Sequence, residues 1–159
     1  MSFPISDEQR AWMTRALAEA RCAGEAGDVP VGAIVLDGAG QVIATGFNDR
    51  EQRQDPTGHA EVVALRAAAA ERGSWRLSDC TLVVTLEPCA MCAGAILNAR
   101  IPRVVFGAWD EKAGAAGSVY DLLRDGRLPH HEVEVIPGVL AEAAAALLTE
   151  FFRGRSESD

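Results

Sequence analysis

The chain has 159 residues, 48% of them apolar, and carries a formal net charge of −8 at neutral pH, with an isoelectric point near 4.9. This length and composition suit one compact domain that builds its core without disulfide staples. The acidic balance excludes a generally basic nucleic-acid-coating protein, so any RNA site must be a local patch on an acidic whole. Of the 15 basic residues 14 are Arg, and Lys112 is the sole Lys.

Ser6-Asp7-Glu8-Gln9 reads as a capping box, followed by Met13, Ala16, Leu17 and Ala20 at helical spacing, with Gly24 and Gly27 as the stop. Val31 to Leu36 and Gln41 to Phe47 are short, largely apolar runs separated by Asp37-Gly38-Ala39-Gly40, the pattern of a β-hairpin. Asn48 to Gly58 is polar and reads as a loop, and His59 to Arg72 is an Ala-rich helix. Thr81 to Leu86 is a buried strand, and Pro88 opens a helix that continues through Ala90 to Asn98. Arg103 to Phe106 is the next strand, Gly107 to Ser118 a Gly/Ala loop, Val119 to Arg124 a short helix and Val133 to Ile136 the last strand. Leu140, Ala143, Ala144, Leu147, Leu148, Phe151 and Phe152 give a final helix one apolar face. Strands alternating with helices predict an α/β fold with helices on both faces of a sheet, the first two strands antiparallel and the later ones largely parallel.

Two segments carry chemistry: His59-Ala60-Glu61 and Pro88-Cys89-Ala90-Met91-Cys92. Both fall at a predicted loop-to-helix start, and Cys89 and Cys92, three residues apart, share one helix face. Thiolates there are stabilised by the helix N-terminus. Two thiolates and one neutral imidazole neutralise Zn²⁺ and leave a fourth position for water, as in catalytic zinc sites. Glu61 is placed to face that water and move its protons. Alone, C-x-x-C also fits structural zinc or a redox pair, and H-x-E alone says almost nothing. The combination H-x-E…P-C-x-x-C is the established signature of the zinc nucleobase deaminases.

Further stretches resemble the bacterial tRNA-specific adenosine deaminases: Val29-Pro30-Val31-Gly32-Ala33, Asp55-Pro56-Thr57-Gly58-His59-Ala60-Glu61, Thr85 to Ala95, Arg103 to Ala108, Gly114 to Ser118 and Phe151-Phe152-Arg153. The resemblance implies a cytidine-deaminase-like three-layer α/β/α fold with a mixed five-stranded sheet, as one deaminase domain with its core at about 6–153. It implies one zinc per subunit on His59, Cys89 and Cys92, with Glu61 as the catalytic acid and base. It also implies a homodimer that converts the wobble adenosine of a tRNA anticodon, in an arginine tRNA, to inosine. Asn48 would contact the base, with Ala60, Leu86, Glu87 and Asp110 in or beside the pocket. A free guanine or cytosine deaminase of the same superfamily is the alternative, mildly favoured by the acidic charge.

Three features depart from that pattern: Trp109 before Asp110, His130-His131-Glu132 in place of a more basic triplet, and the acidic tail Ser156-Glu157-Ser158-Asp159. Trp109 suits a base-stacking position or a loop filler equally. His130 and His131 are expected as a solvated or RNA-facing pair, since neighbours in extended chain point apart. Arg100, Arg103, Arg153 and Arg155 are candidate phosphate contacts, with solvated faces as the default. Cys22 and Cys80 are expected as small buried hydrophobes. Met1 to Arg10 has no apolar run, and no stretch approaches the roughly 20 apolar residues of a membrane span, so a cytoplasmic protein is expected.

Overall fold

A computed structural model describes residues 4–130 and 132–158. Helix α1 (Asp7–Glu25) is followed by β1 (Gly32–Leu36), β2 (Val42–Phe47), the single turn α2 (Arg50–Arg53), α3 (Ala60–Arg72), β3 (Thr81–Leu86), α4 (Ala90–Asn98), β4 (Arg103–Ala108), β5 (Glu134–Ile136) and α5 (Ala141–Ser158). The capping box forms as expected: Gln9 N–H donates to Ser6 Oγ and the Gln9 side chain accepts from the Ser6 amide.

The five strands lie in the order β2-β1-β3-β4-β5. Strand β1 is antiparallel to both β2 and β3, whereas β3, β4 and β5 are parallel. Every strand except β1 therefore runs the same way, and the carboxyl ends of β2, β3 and β4 share one edge of the sheet. Open α/β sheets bind ligands at that edge.

Alternation along the buried strands feeds two cores. Ala33, Val35, Leu82, Val84, Val104 and Phe106 face α3 and α4, joined by Ala60, Ala64, Leu65, Ala68, Ala93 and Ile96. Ile34, Leu36, Val83 and Val105 face the opposite way, against Met13, Ala16 and Leu17 of α1 and Ala144 of α5. Side chains such as Phe106 and Met13, fully buried, each contribute about 1.5–3 kcal/mol. A Cβ on Gly46 would stand 2.7 Å from Ala64 N and 2.8 Å from Ala60 O, so the bare backbone of β2 lets the first turns of α3 pack close.

Three local expectations differ. The polar stretch after β2 contains α2. The 119–124 stretch is a turn instead of a helix: Ala116 bridges Asp121, and Gly117 N–H donates to Tyr120 O at 2.9 Å. The amides of Ala116 and Ser118 are taken by the Glu87 carboxylate, which holds this chain in loop form. Cys22 is exposed while Cys80 is buried. Cys22 lies two residues after Ala20, which puts it about 200° around α1 from the buried stripe. Among the described residues no helix is long and apolar enough to cross a membrane.

Candidate active site

The sheet edge collects the reactive groups because each strand ends there. Leu86 closes β3 and leads through Glu87 and Pro88 to Cys89, the N-cap residue of α4. His59 is the N-cap residue of α3, with Glu61 in that helix's first turn. Two helix N-termini thus converge, as the spacing predicts.

His59 Nδ1 lies 3.5 Å from Cys89 Sγ and 3.5 Å from Cys92 Sγ. The ligand atoms of the three residues all lie within 4.8 Å of one another. A tetrahedral zinc with Zn–N of about 2.05 Å and Zn–S of about 2.3 Å needs N···S edges of about 3.5 Å, so the trio fits that ion. A soft N/S₂ donor set also suits it chemically. No fourth His, Cys, Asp or Glu joins the cluster among the described residues.

The protonation pattern follows from crowding. The hydrogen bond from Cys92 holds the Cys89 thiol down to about 4, opposed by burial and assisted by His59. The hydrogen bond to Cys89, with burial and the nearby Glu61 and Cys89 charges, pushes Cys92 far up. His59 is raised, first by its hydrogen bond to Cys89. Metal capture needs both thiolates and so releases the retained proton. Glu61, only 3% exposed, is pushed up to about 7 by burial.

Against His59 and Cys89 of this trio lies a cavity of about 160 Å³ lined by Val29, Val31, Asn48, Arg50, His59, Glu61, Leu86, Glu87, Cys89, Asp110 and Ala113. Its small volume, well under that of drug-sized ligand pockets, encloses only part of an extended substrate. Asn48, Leu86, Glu87 and Asp110 all reach it. Ala60, expected in or beside the pocket, is fully buried and absent from this wall, and its amide donates to Asn48 Oδ1 at 2.8 Å. That bond commits the oxygen of Asn48 to the protein and leaves its NH₂ as the group available to a ligand.

Glu87 has a different job from a ligand contact. Its carboxylate accepts from the amides of Asp110 at 2.9 Å, Ala116 at 3.0 Å and Ser118 at 3.0 Å, and from the Ser118 hydroxyl. Burial pushes its pKa up, yet these donors outweigh burial and hold it below the usual carboxylate range. The 110–118 loop is tied again where Ala115 N–H donates to Pro88 O at 2.7 Å. Glu87 therefore fixes the loop carrying Asp110 and Ala113 against the metal loop.

Other candidates lie elsewhere. Trp109 packs edge-on against Phe106 with ring centroids 4.9 Å apart and is absent from the cavity wall. Arg100 donates to Leu97 O, Asn98 O and, at 2.9 Å, His130 Nδ1, so it closes the end of α4. Arg103 donates to Thr81 Oγ1 at 3.2 Å. Phe151 lines a separate cleft with Arg21, Pro30 and Leu147. His131 and Asp159 lie outside the described residues. Sequence reasoning missed Val29, Val31, Arg50 and Ala113 as wall residues; Val29-Pro30-Val31 stood in a resemblance segment, but nothing in its residue types marks it as a wall.

A buried carboxylate beside an N/S₂ cluster, at the carboxyl edge of a mixed sheet, defines a zinc hydrolytic centre. Residues 6–108 match the family model of the cytidine and deoxycytidylate deaminase zinc-binding region, and the chain belongs to that family. It is 44% identical to the tRNA-specific adenosine deaminase of Bacillus subtilis (strain 168), over 89% of this chain and 87% of that protein. It is 49% identical to the Haemophilus influenzae (strain ATCC 51907 / DSM 11121 / KW20 / Rd) protein of the same name, over 82% of this chain and 75% of that one. Among solved structures, it superposes with a TM-score of 0.81 and 41% identity on one from studies of A-to-I editing by tRNA:A34 deaminases, covering 87% of this chain and 99% of that one. The guanine deaminase of Nitrosomonas europaea aligns with a TM-score of 0.74 and 29% identity, covering 94% of this chain and 86% of that one.

Proposed function

We propose that this chain hydrolytically deaminates adenosine to inosine at the wobble position of a tRNA anticodon. The observation that carries the reading is the cluster of His59, Cys89 and Cys92 against a cavity that His59, Cys89 and the carboxylate of Glu61 line together, in a chain so similar to named tRNA-specific adenosine deaminases.

His59, Cys89 and Cys92 would hold the zinc, which when bound acidifies a water molecule and so supplies the nucleophile. Glu61 carries one water proton to a ring nitrogen of adenine and the other to the amino group at C6. The amine leaves as ammonia and a C6 carbonyl remains, so adenosine plus water gives inosine plus ammonia. Burial keeps Glu61 poised to exchange protons near neutrality. Asn48 offers its NH₂ to an acceptor on the base, Leu86 packs against the ring, and Glu87 holds Asp110 at the rim.

The finer expectations belong to this reading: an arginine tRNA as substrate, a cytoplasmic setting, and a homodimer. Self-association is supported by an apolar groove of about 480 Å³ between α3 and α4, lined by Val62, Leu65, Ala69, Trp75 and Ala95, with Trp75 54% exposed. Analytical ultracentrifugation tests it.

The test of the activity is mass spectrometry of anticodon fragments after incubation of tRNA with the zinc-loaded protein. Inosine at the wobble position is expected. A second reading, a free guanine deaminase, draws on the likeness to the Nitrosomonas europaea enzyme and on the acidic charge. Turnover of free guanine with an untouched anticodon stem-loop would establish it instead.

A further inference from the structure

We propose that Arg50 forms a phosphodiester subsite at the mouth of the catalytic cavity and anchors the backbone next to the reacting nucleotide. The inference rests on the polynucleotide substrate proposed above and adds the group that recognises it.

Two observations meet at this residue. Arg50 is the single Arg or Lys among the residues lining the cavity, whose acidic walls are Glu61, Glu87 and Asp110. Its side chain is exposed, and no carboxylate pairs with it among the described residues, although its neighbour Arg53 pairs with Asp49 at 2.9 Å.

A neutral nucleobase entering this cavity has no use for a free guanidinium at the rim. A chain of phosphates approaching a protein of net charge −8 does, because the acidic walls repel it and nothing else in the lining compensates. The cavity encloses about 160 Å³, so the flanking sugar and phosphate must remain at the mouth, where Arg50 stands. Arg meets phosphate through a planar fork of donors. The backbone under it is set by neighbours: Asp55 N–H donates to Arg50 O at 3.0 Å, and Asp49 N–H to Gly58 O at 3.0 Å.

The experiment uses the zinc-loaded full chain and an anticodon stem-loop RNA, with kcat and KM followed across a salt series for wild type, Arg50→Ala, Arg50→Lys and Arg50→Glu. Zinc content and thermal midpoint are recorded for each to confirm an intact fold. For Arg50→Ala, kcat/KM is expected to fall about tenfold, carried by KM, as for loss of one charge-assisted contact. The slope of log(kcat/KM) against log salt should flatten by about 0.7, the value for one single-strand phosphate. Arg50→Lys should keep most of the slope, and Arg50→Glu should lose more than Ala does. Wild-type editing with an unchanged salt slope in Arg50→Ala overturns the subsite and leaves the tRNA reading standing. Wild-type turnover of free guanine with no editing of the stem-loop overturns that reading and the subsite with it.

Discussion

Asn48 accepts the Ala60 amide at 2.8 Å, and this one bond joins the end of β2 to the first turn of the helix that carries His59 and Glu61. The same side chain then faces the cavity with a donor only. Asn48→Asp keeps the acceptor for Ala60 but replaces the NH₂ with an anionic oxygen. Zinc content and thermal midpoint should change little, whereas kcat/KM on an anticodon stem-loop should fall about 10–100-fold, the range for one lost directed hydrogen bond. Wild-type kinetics in this variant would remove Asn48 from the substrate contacts.

Glu61→Gln is isosteric at a buried site and removes only the titratable carboxyl. Metal content should remain near one zinc per chain while kcat drops by about 10²–10⁴, the usual contribution of general acid–base catalysis. Single-turnover deamination of the stem-loop, paired with elemental analysis, checks both halves.

The closed edges of the His59, Cys89 and Cys92 triangle predict that the metal supports the fold as well as the chemistry. Free zinc a thousandfold above its dissociation constant stabilises a protein by about 4 kcal/mol. Chelation should lower the thermal midpoint of the wild type, and zinc should restore it. Cys89→Ala should bind substoichiometric zinc and show little response to either treatment in differential scanning calorimetry.

Glu87 gives a pH dependence with a defined sign. Its folded-state pKa is depressed, so its stabilisation is complete above the unfolded value of about 4.3 and is lost as pH falls through the lower folded value. Glu87→Gln removes that contribution. Urea unfolding should show the variant about 1–3 kcal/mol less stable at pH 7, with the gap to wild type narrowing below about pH 4. Amide exchange at Ala116 and Ser118 should quicken, since both donate to this carboxylate.

Gly46→Ala places a methyl against the α3 backbone at 2.7 Å from Ala64 N. Overpacking of that kind costs about 1–3 kcal/mol and pushes His59 away from the sulfurs. A lower thermal midpoint together with weaker zinc affinity, by competition with a chromophoric chelator, is the expected pair of results.

The metal trio and its carboxylate were legible in the sequence because local rules place them. A Pro before Cys89 opens a helix, i and i+3 share its face, and His59 precedes an Ala-rich helical run. Strand direction followed in part from the same logic: a four-residue turn fixes β1 and β2 as a hairpin, and the crossover through α4 makes β3 and β4 parallel. The failures have local causes too. Residues 119–124 have helical composition, but Glu87, about thirty positions upstream, binds the amides before them. Cys22 has an apolar character, yet helical phase turns it outward.

By itself, then, the order of residues determined the metal-ligand trio, the place of Glu61 beside it and the alternation of elements, since all of these depend on spacing within one helix or one turn. Only the tertiary structure decided that Glu87 spends its charge on a loop, that Asn48 shows the cavity a donor, and that Arg50 stands at its mouth. Those roles arise where the ends of different strands meet, and which donor meets which acceptor there is set by strand register and packing between segments distant in the chain.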